Sequence, residues 1–195
     1  MRILVVYTTN AGSTGKVAEV IGETLAQNGT QTDVRQIVDV GDVSAYDGVL
    51  VGGPMILGWH KEAVEFIETH QQALSQKRVA YFLTALSLTK SSEPKLGAVS
   101  IYQDPALAKA PNNPNRLSRK EKFTTVAAYL EPVLEKAPQV TPVSAGFFAG
   151  KLDYGRLSIF QKLFVKIIFR AQAGDYRNWD AICDWAERLH SELEN

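Results

Sequence analysis

The stretch Tyr7-Thr8-Thr9-Asn10-Ala11-Gly12-Ser13-Thr14 joins a short apolar strand, Ile3 to Val6, to a helix that begins near Thr14. A strand-to-helix turn of small hydroxylic residues and a glycine is suited to holding a phosphate. Backbone N–H groups at a helix start lack intrahelical acceptors, and the helix dipole is positive there. Thr9, Ser13 and Thr14 add hydroxyl donors around the same point. The expected guest is anionic. Two common nucleotide loops are excluded by spacing. In a Walker A loop Gly-Lys precedes Ser or Thr, but here Gly15-Lys16 is followed by Val17, and no glycine stands five residues before Gly15. The dinucleotide fingerprint needs three glycines, and Gly12 and Gly15 supply only its second half.

Short apolar runs then alternate with helix-period segments. Predicted strands cover residues 3–6, 34–38, 49–51, 79–83 and 140–148; predicted helices cover 14–28, 61–74 and 123–136. Val17, Ile21 and Leu25 share one face of the first helix, and Gly29 ends it. Gly52-Gly53-Pro54 is expected to break the chain after the third strand, and Pro132 to kink the helix at 123–136 or divide it. This alternation predicts an α/β fold with a parallel sheet covered on both faces. The 195 residues suit one domain, 1–195, with a long irregular insertion at about 90–122 that carries Pro94, Pro105, Pro111 and Pro114. With 21 basic against 21 acidic residues, no global field favours nucleic acid. The single cysteine, Cys183, excludes an internal disulfide framework and fits a reducing cytoplasm. The opening apolar run is too short for a signal peptide, and no run reaches the ~20 apolar residues of a membrane span.

The pattern Thr9-x-x-Gly12-x-Thr14 after a strand ending in an aromatic resembles the phosphate loop of flavodoxins. With the Gly-rich loop after the third strand and a basic apolar segment near the C-terminus, the chain resembles the flavodoxin-like branch that includes bacterial menaquinone-dependent protoporphyrinogen oxidase. The resemblance implies a three-layer sandwich with a five-stranded parallel sheet of order 2-1-3-4-5. It also implies FMN, held by three loops at the strand ends. Thr9, Asn10, Ala11, Gly12, Ser13 and Thr14 would take the phosphate, although flavodoxins commonly carry a hydroxyl where this chain has Ala11. Gly53, Pro54, Met55 and Trp59 would flank the ring from the second loop, and Ala85, Leu86 and Ser87 from the third. Trp59 either stacks on the flavin or packs over the next helix. The implied partners are a small redox substrate, a porphyrinogen in that family, and a membrane quinone. The insertion departs from the family pattern. Two further readings stay open: a soluble FMN electron carrier, or a flavodoxin-like binding module without FMN.

Segment 156–170 carries Arg156, Lys162, Lys166 and Arg170 with no acid. As a helix, it would align Lys162, Lys166 and Arg170 in a stripe beside an apolar circumference wider than one core face. At about 1.5 Å per residue it is too short to span a bilayer. It reads either as a peripheral contact with anionic lipid at the inner face of the cytoplasmic membrane or as a packed helix with snorkelling lysines. His60, His70 and His190 lack metal-ligand spacing and read as surface groups, and Glu62, Glu65 and Glu68 as a solvated helix face. Cys183, among Ile182, Trp185 and Ala186, reads as core. No catalytic side chain emerges, as expected where a cofactor carries the redox chemistry.

Overall fold

The computed structural model describes residues 1–10, 12–55, 58–156, 162 and 172–194. Strand β1, Arg2–Tyr7, is buried on both faces. Leu4 and Val6 enter one apolar cluster while Ile3 and Val5 enter the other, which is why its core reads as an unbroken apolar run. Helix α1, Ser13–Gln27, buries Val17, Ile21 and Leu25 completely, and Gly29 follows it at φ 89°. The next strands of the sheet are β2, Gln31–Gln36, β3, Gly48–Met55, and β4, Arg78–Ala85. Between β3 and β4 lie α2, Lys61–Thr69, and α3, Gln71–Leu74.

The sequence after β4 is not an irregular loop. It forms β5, Leu88–Thr89; β6, Lys95–Leu96; β7, Val99–Gln103; and β8, Ala108–Lys109. Helices α4, Arg119–Phe123, and α5, Val126–Lys136, lead to β9, Ser144–Ala149. The short strands β10, Lys151–Leu152, and β11, Gly174–Asp175, pair with each other before the last helix, α6, Trp179–Glu194.

The sheet order is β2-β1-β3-β4-β9-β7-β6. The expected five strands are present in the expected order and pair in parallel, so the three-layer α/β class holds. The expected count of five does not. β7 adds in parallel beside β9, and β6 turns back antiparallel to it through Gly97 at φ 58°. Val99 and Ile101 meet one apolar cluster and Tyr102 the other, so the period-2 strand signal lay inside the proline-rich stretch. Helices α1 and α6 cover one face, and α2, α3 and α5 the other.

Further boundaries differ from expectation: β9 begins at Ser144 rather than 140, and the helix expected at 61–74 divides into α2 and α3 at His70. β3 runs through Gly52-Gly53-Pro54 rather than breaking there. The Gly52 carbonyl accepts from Thr8 N–H at 3.0 Å, so it faces β1. Pro54 faces the same side two residues on, past the end of β1, and its missing N–H breaks no ladder bond. The second strand ends at Gln36, and a 3-10 turn, Ile37–Asp39, buries Ile37 while Val38 is 70% exposed. The helix predicted at 123–136 divides at Thr124-Thr125, where Thr125 caps α5 by accepting from Ala128 N–H, and Pro132 lies inside α5.

Asp104, after β7, is fully buried. Its carboxylate accepts from the N–H groups of Ala106 (2.8 Å) and Ala149 (3.0 Å) and from Asn178 Nδ2 (2.9 Å). At the opposite edge of the sheet, Asp33 Oδ2 accepts from Tyr46 Oη and from Arg2 Nη2, both at 2.7 Å. The Tyr46 hydroxyl, and then the Arg2 guanidinium, hold the Asp33 carboxyl below its ordinary value. A lowered carboxyl stabilises the fold above the unfolded-state value, near pH 4, and that contribution disappears as pH falls through the folded value. Asp33→Asn is therefore expected to cost about 1 kcal/mol at pH 7, discounted for partial exposure, with a smaller gap at pH 3. Urea midpoints at both pH values check this, and an equal gap at both would contradict it.

Most of segment 156–170 lies outside the described residues, and so does its expected lipid contact. Among the described residues no helix is long and apolar enough to cross a membrane, and no His, Cys, Asp and Glu cluster could hold a metal ion.

Candidate functional site

A crevice opens at the carboxyl ends of β1, β3, β4 and β9. Its described lining joins Asn10 and Ser13, Pro54 and Met55, and Thr84, Ala85 and Leu86, so members of all three expected loops converge. Gly150, Lys151, Leu152 and Asp153 form a fourth side. The enclosed void is about 40 Å³.

The entry to α1 is chemically open. Gly12 occupies the N-cap at φ 79°, ψ −8°, a left-handed conformation, and among the described residues no side chain caps the first turn. The first N–H groups of the helix are thereby left for a ligand. Thr9 Oγ1 is buried, with no hydrogen-bond partner among the described residues. Ser13 lines the void, and its carbonyl accepts from Arg177 Nη1 at 3.4 Å. Arg177 is itself paired with Asp175, whose carboxyl it holds below the ordinary value. Thr14 is turned inward: it is fully buried, and its hydroxyl bonds Thr84 Oγ1 at 3.1 Å, which ties the first loop to the third. Ala11 lies outside the described residues.

In the second loop, Gly53 is buried in β3, where an added Cβ would stand 3.2 Å from Thr8 Cγ2. The glycines here make room for the protein's own side chains. Trp59 lies edge-on to Tyr81, with ring centroids 5.2 Å apart, against the core beneath α2, and is not part of the described lining. Among the described residues Trp59 Nε1 and the Tyr81 hydroxyl have no partner, and burial pushes the Tyr81 hydroxyl up. In the third loop, the Ser87 carbonyl accepts from the Tyr129 hydroxyl at 2.8 Å, which fixes the backbone from behind the crevice.

A polar relay backs the loop after β1. Thr8 Oγ1 donates to Glu62 Oε2 at 2.9 Å, which uses its only hydrogen. His60 Nδ1, 3.1 Å from Thr8 Oγ1, must then donate to it. His60 Nε2 stands 3.0 Å from Asn10 Oδ1. The relay is satisfied in two ways. Imidazolium His60 donates to the Asn10 carbonyl and frees that amide's NH₂; neutral His60 accepts from the NH₂ of a turned amide. Glu62 and His60 thus do more than expected of a solvated helix face and a surface group, a role their sequence spacing does not reveal.

The segment after β9 was also missed. Its signal was positional, since strand carboxyl ends line the ligand crevice in this topology and Gly150 follows such an end directly.

This fold and crevice define a flavodoxin-like α/β protein whose first helix opens onto the crevice through Gly12. The model of the flavodoxin domain family matches residues 4–178, and the chain belongs to that family. It is similar to protoporphyrinogen IX dehydrogenase [quinone] of Escherichia coli K12, at 20% identity over 97% of this chain and 94% of that protein. The Leishmania major protein of the same name is 24% identical over 95% of this chain and 70% of its own length. Among solved structures, the fold matches a Streptococcus pneumoniae TIGR4 flavodoxin with TM-score 0.52 and 10% identity, covering 99% of this chain and 100% of that one. It also matches flavodoxin 2 of Bacillus cereus with TM-score 0.51 and 13% identity, covering 98% and 99%.

Proposed function

We propose that this chain is an FMN-dependent oxidoreductase acting between a reduced small molecule of porphyrinogen type and a quinone. The carrying observation is the meeting of three separate loops at an uncapped helix entered through left-handed Gly12, beside a buried Thr9 hydroxyl that has no partner among the described residues. These groups fit a phosphate monoester. Family membership and the two named relatives support the rest of the reading.

Thr9, Asn10, Gly12 and Ser13 hold the phosphate. Thr14 braces the loop through Thr84. Pro54, Met55, Ala85 and Leu86 flank the ring, while Gly53, Trp59 and Ser87 shape its walls from behind. Bound FMN supplies the electron transfer.

The second reading, a binding module without flavin, is favoured by the void of about 40 Å³, which admits only part of a flavin. Absorbance of the purified protein, mass identification of any released chromophore and fluorescence titration with FMN decide between them. The proposal expects a yellow protein that binds riboflavin at least about tenfold more weakly than FMN, because the charged phosphate contacts are lost. A colourless protein that leaves FMN fluorescence unquenched is a binding module. Porphyrinogen oxidation with menadione as acceptor tests the substrate class, and colour without turnover identifies an electron carrier.

A further inference from the structure

The 90–122 segment and the start of α5 line an open cavity of about 510 Å³, well within the range of small-molecule sites, roughly 300–1,000 Å³. A slack loop would not frame such a void. Here the frame is bonded: Ser91 N–H donates to Gln103 Oε1 at 2.8 Å, and Gln103 Nε2 returns to the Ser91 carbonyl at 3.0 Å. Thr89 N–H donates to the Thr124 carbonyl at 2.7 Å, Lys90 N–H to the Lys109 carbonyl at 2.8 Å, and Asn112 N–H to Glu121 Oε1 at 2.7 Å. Glu121 in turn forms a reciprocal capping box with Ser118 at the start of α4.

The lining has two kinds of chemistry. Leu96, Ile101 and Val126 give an apolar floor that joins the core beneath α5, with Pro111 and Leu117 among its other apolar members. Lys90 and Lys95 are exposed lining residues, and among the described residues neither has a carboxylate partner. Glu93 is the only acid in the described lining, so its formal charge is positive. The first turn of α5 adds to this. Thr125 caps Ala128 N–H, while the backbone N–H groups of Val126 and Ala127 have no acceptor within the helix. An occupant therefore needs an apolar body and a negative charge.

We propose that this cavity binds a small organic anion with an apolar body, at a site separate from the cofactor crevice. It goes beyond the proposed reaction. The chain from Ala85 to Thr89 is the partition: Ala85 and Leu86 line the crevice and Thr89 lines the cavity. Tyr129, in α5, pins the middle of that partition through the Ser87 carbonyl.

The test uses 8-anilinonaphthalene-1-sulfonate, an aromatic body with one sulfonate, titrated into the full chain by calorimetry with and without added FMN. One probe is expected per chain in both cases. Lys90→Glu with Lys95→Glu should weaken it at least tenfold, as should exchange for uncharged N-phenyl-1-naphthylamine. Ile101→Trp, which puts a bulky ring on the apolar floor and narrows the cavity, should weaken binding at least tenfold, and Gly12→Val should leave it unchanged. If Ile101→Trp does not fold, the surface lysine variant decides alone. The site is overturned by no binding, by several weak sites, by affinity unchanged in the lysine variant, or by displacement with FMN. Because FMN binding is read separately in the same samples, failure of the cofactor reading leaves this result independent.

Discussion

Gly52→Ala is expected to destabilise the protein by about 3 kcal/mol or more, the upper range for overpacking a filled core. A Cβ at Gly52 would stand 2.0 to 2.4 Å from three atoms of the Phe82 ring. Phe82 has no exposed surface, and its ring lies in the cluster beneath α1 and α6 with Leu50 and Phe148. β3 is hydrogen-bonded into the middle of the sheet, so neither partner can withdraw without moving a strand. The control is Gly41→Ala, where an added Cβ meets nothing within 4 Å. That change is expected to stay within about 0.5 kcal/mol. Urea unfolding of both variants makes the comparison, and equal midpoints would mean that β4 can shift to accept the methyl group.

Gly12→Val should lower FMN affinity at least about 100-fold, close to 2.7 kcal/mol. Gly12 sits at φ 79°, where an L-residue with a branched Cβ is strained by at least 1–2 kcal/mol. The chain can relieve that strain only by turning the peptide planes that lead into α1, which misdirects the N–H groups assigned to the phosphate. The valine side chain would also crowd the approach to them. The fold should survive, because the apolar residues that α1 packs into the core begin only at Val17. Fluorescence quenching gives the dissociation constant and circular dichroism checks the fold. A constant within threefold of wild type in a folded variant removes the phosphate from this loop.

The parts legible in the sequence were those that rest on local period. Ile3 to Val6, the face of Val17, Ile21 and Leu25, and the stop at Gly29 all stand where spacing put them. So does the meeting of the loops after β1, β3 and β4, because strand order in a parallel sheet fixes which loops are neighbours. The illegible parts depend on partners distant in the chain. Gly52-Gly53-Pro54 reads locally as a breaker, yet it is strand, because Phe82 needs the missing Cβ and β1 has ended beside Pro54. Thr14 looked like a phosphate donor, whereas its hydroxyl meets Thr84 seventy positions away. The pairing of Thr8 with Glu62 and of His60 with Asn10 spans fifty residues or more, beyond the reach of helical or strand spacing.

Asp104 bears on how this family could be recombined. The residue belongs to the added segment, but two of its three donors belong elsewhere: the Ala149 N–H lies 45 positions away in β9 and Asn178 lies 74 away, just ahead of α6. The segment is therefore not a cassette. Grafted into a relative lacking an amide at the position of Asn178, it would bring an interior carboxylate short of one donor. Cut from this chain, it would leave Ala149 N–H and the Asn178 amide facing nothing, at about 1–3 kcal/mol for each group kept from water. A chimera boundary that respects the chemistry runs from β7 through α6 without interruption, so the added edge of the sheet and the terminal helix must be inherited together.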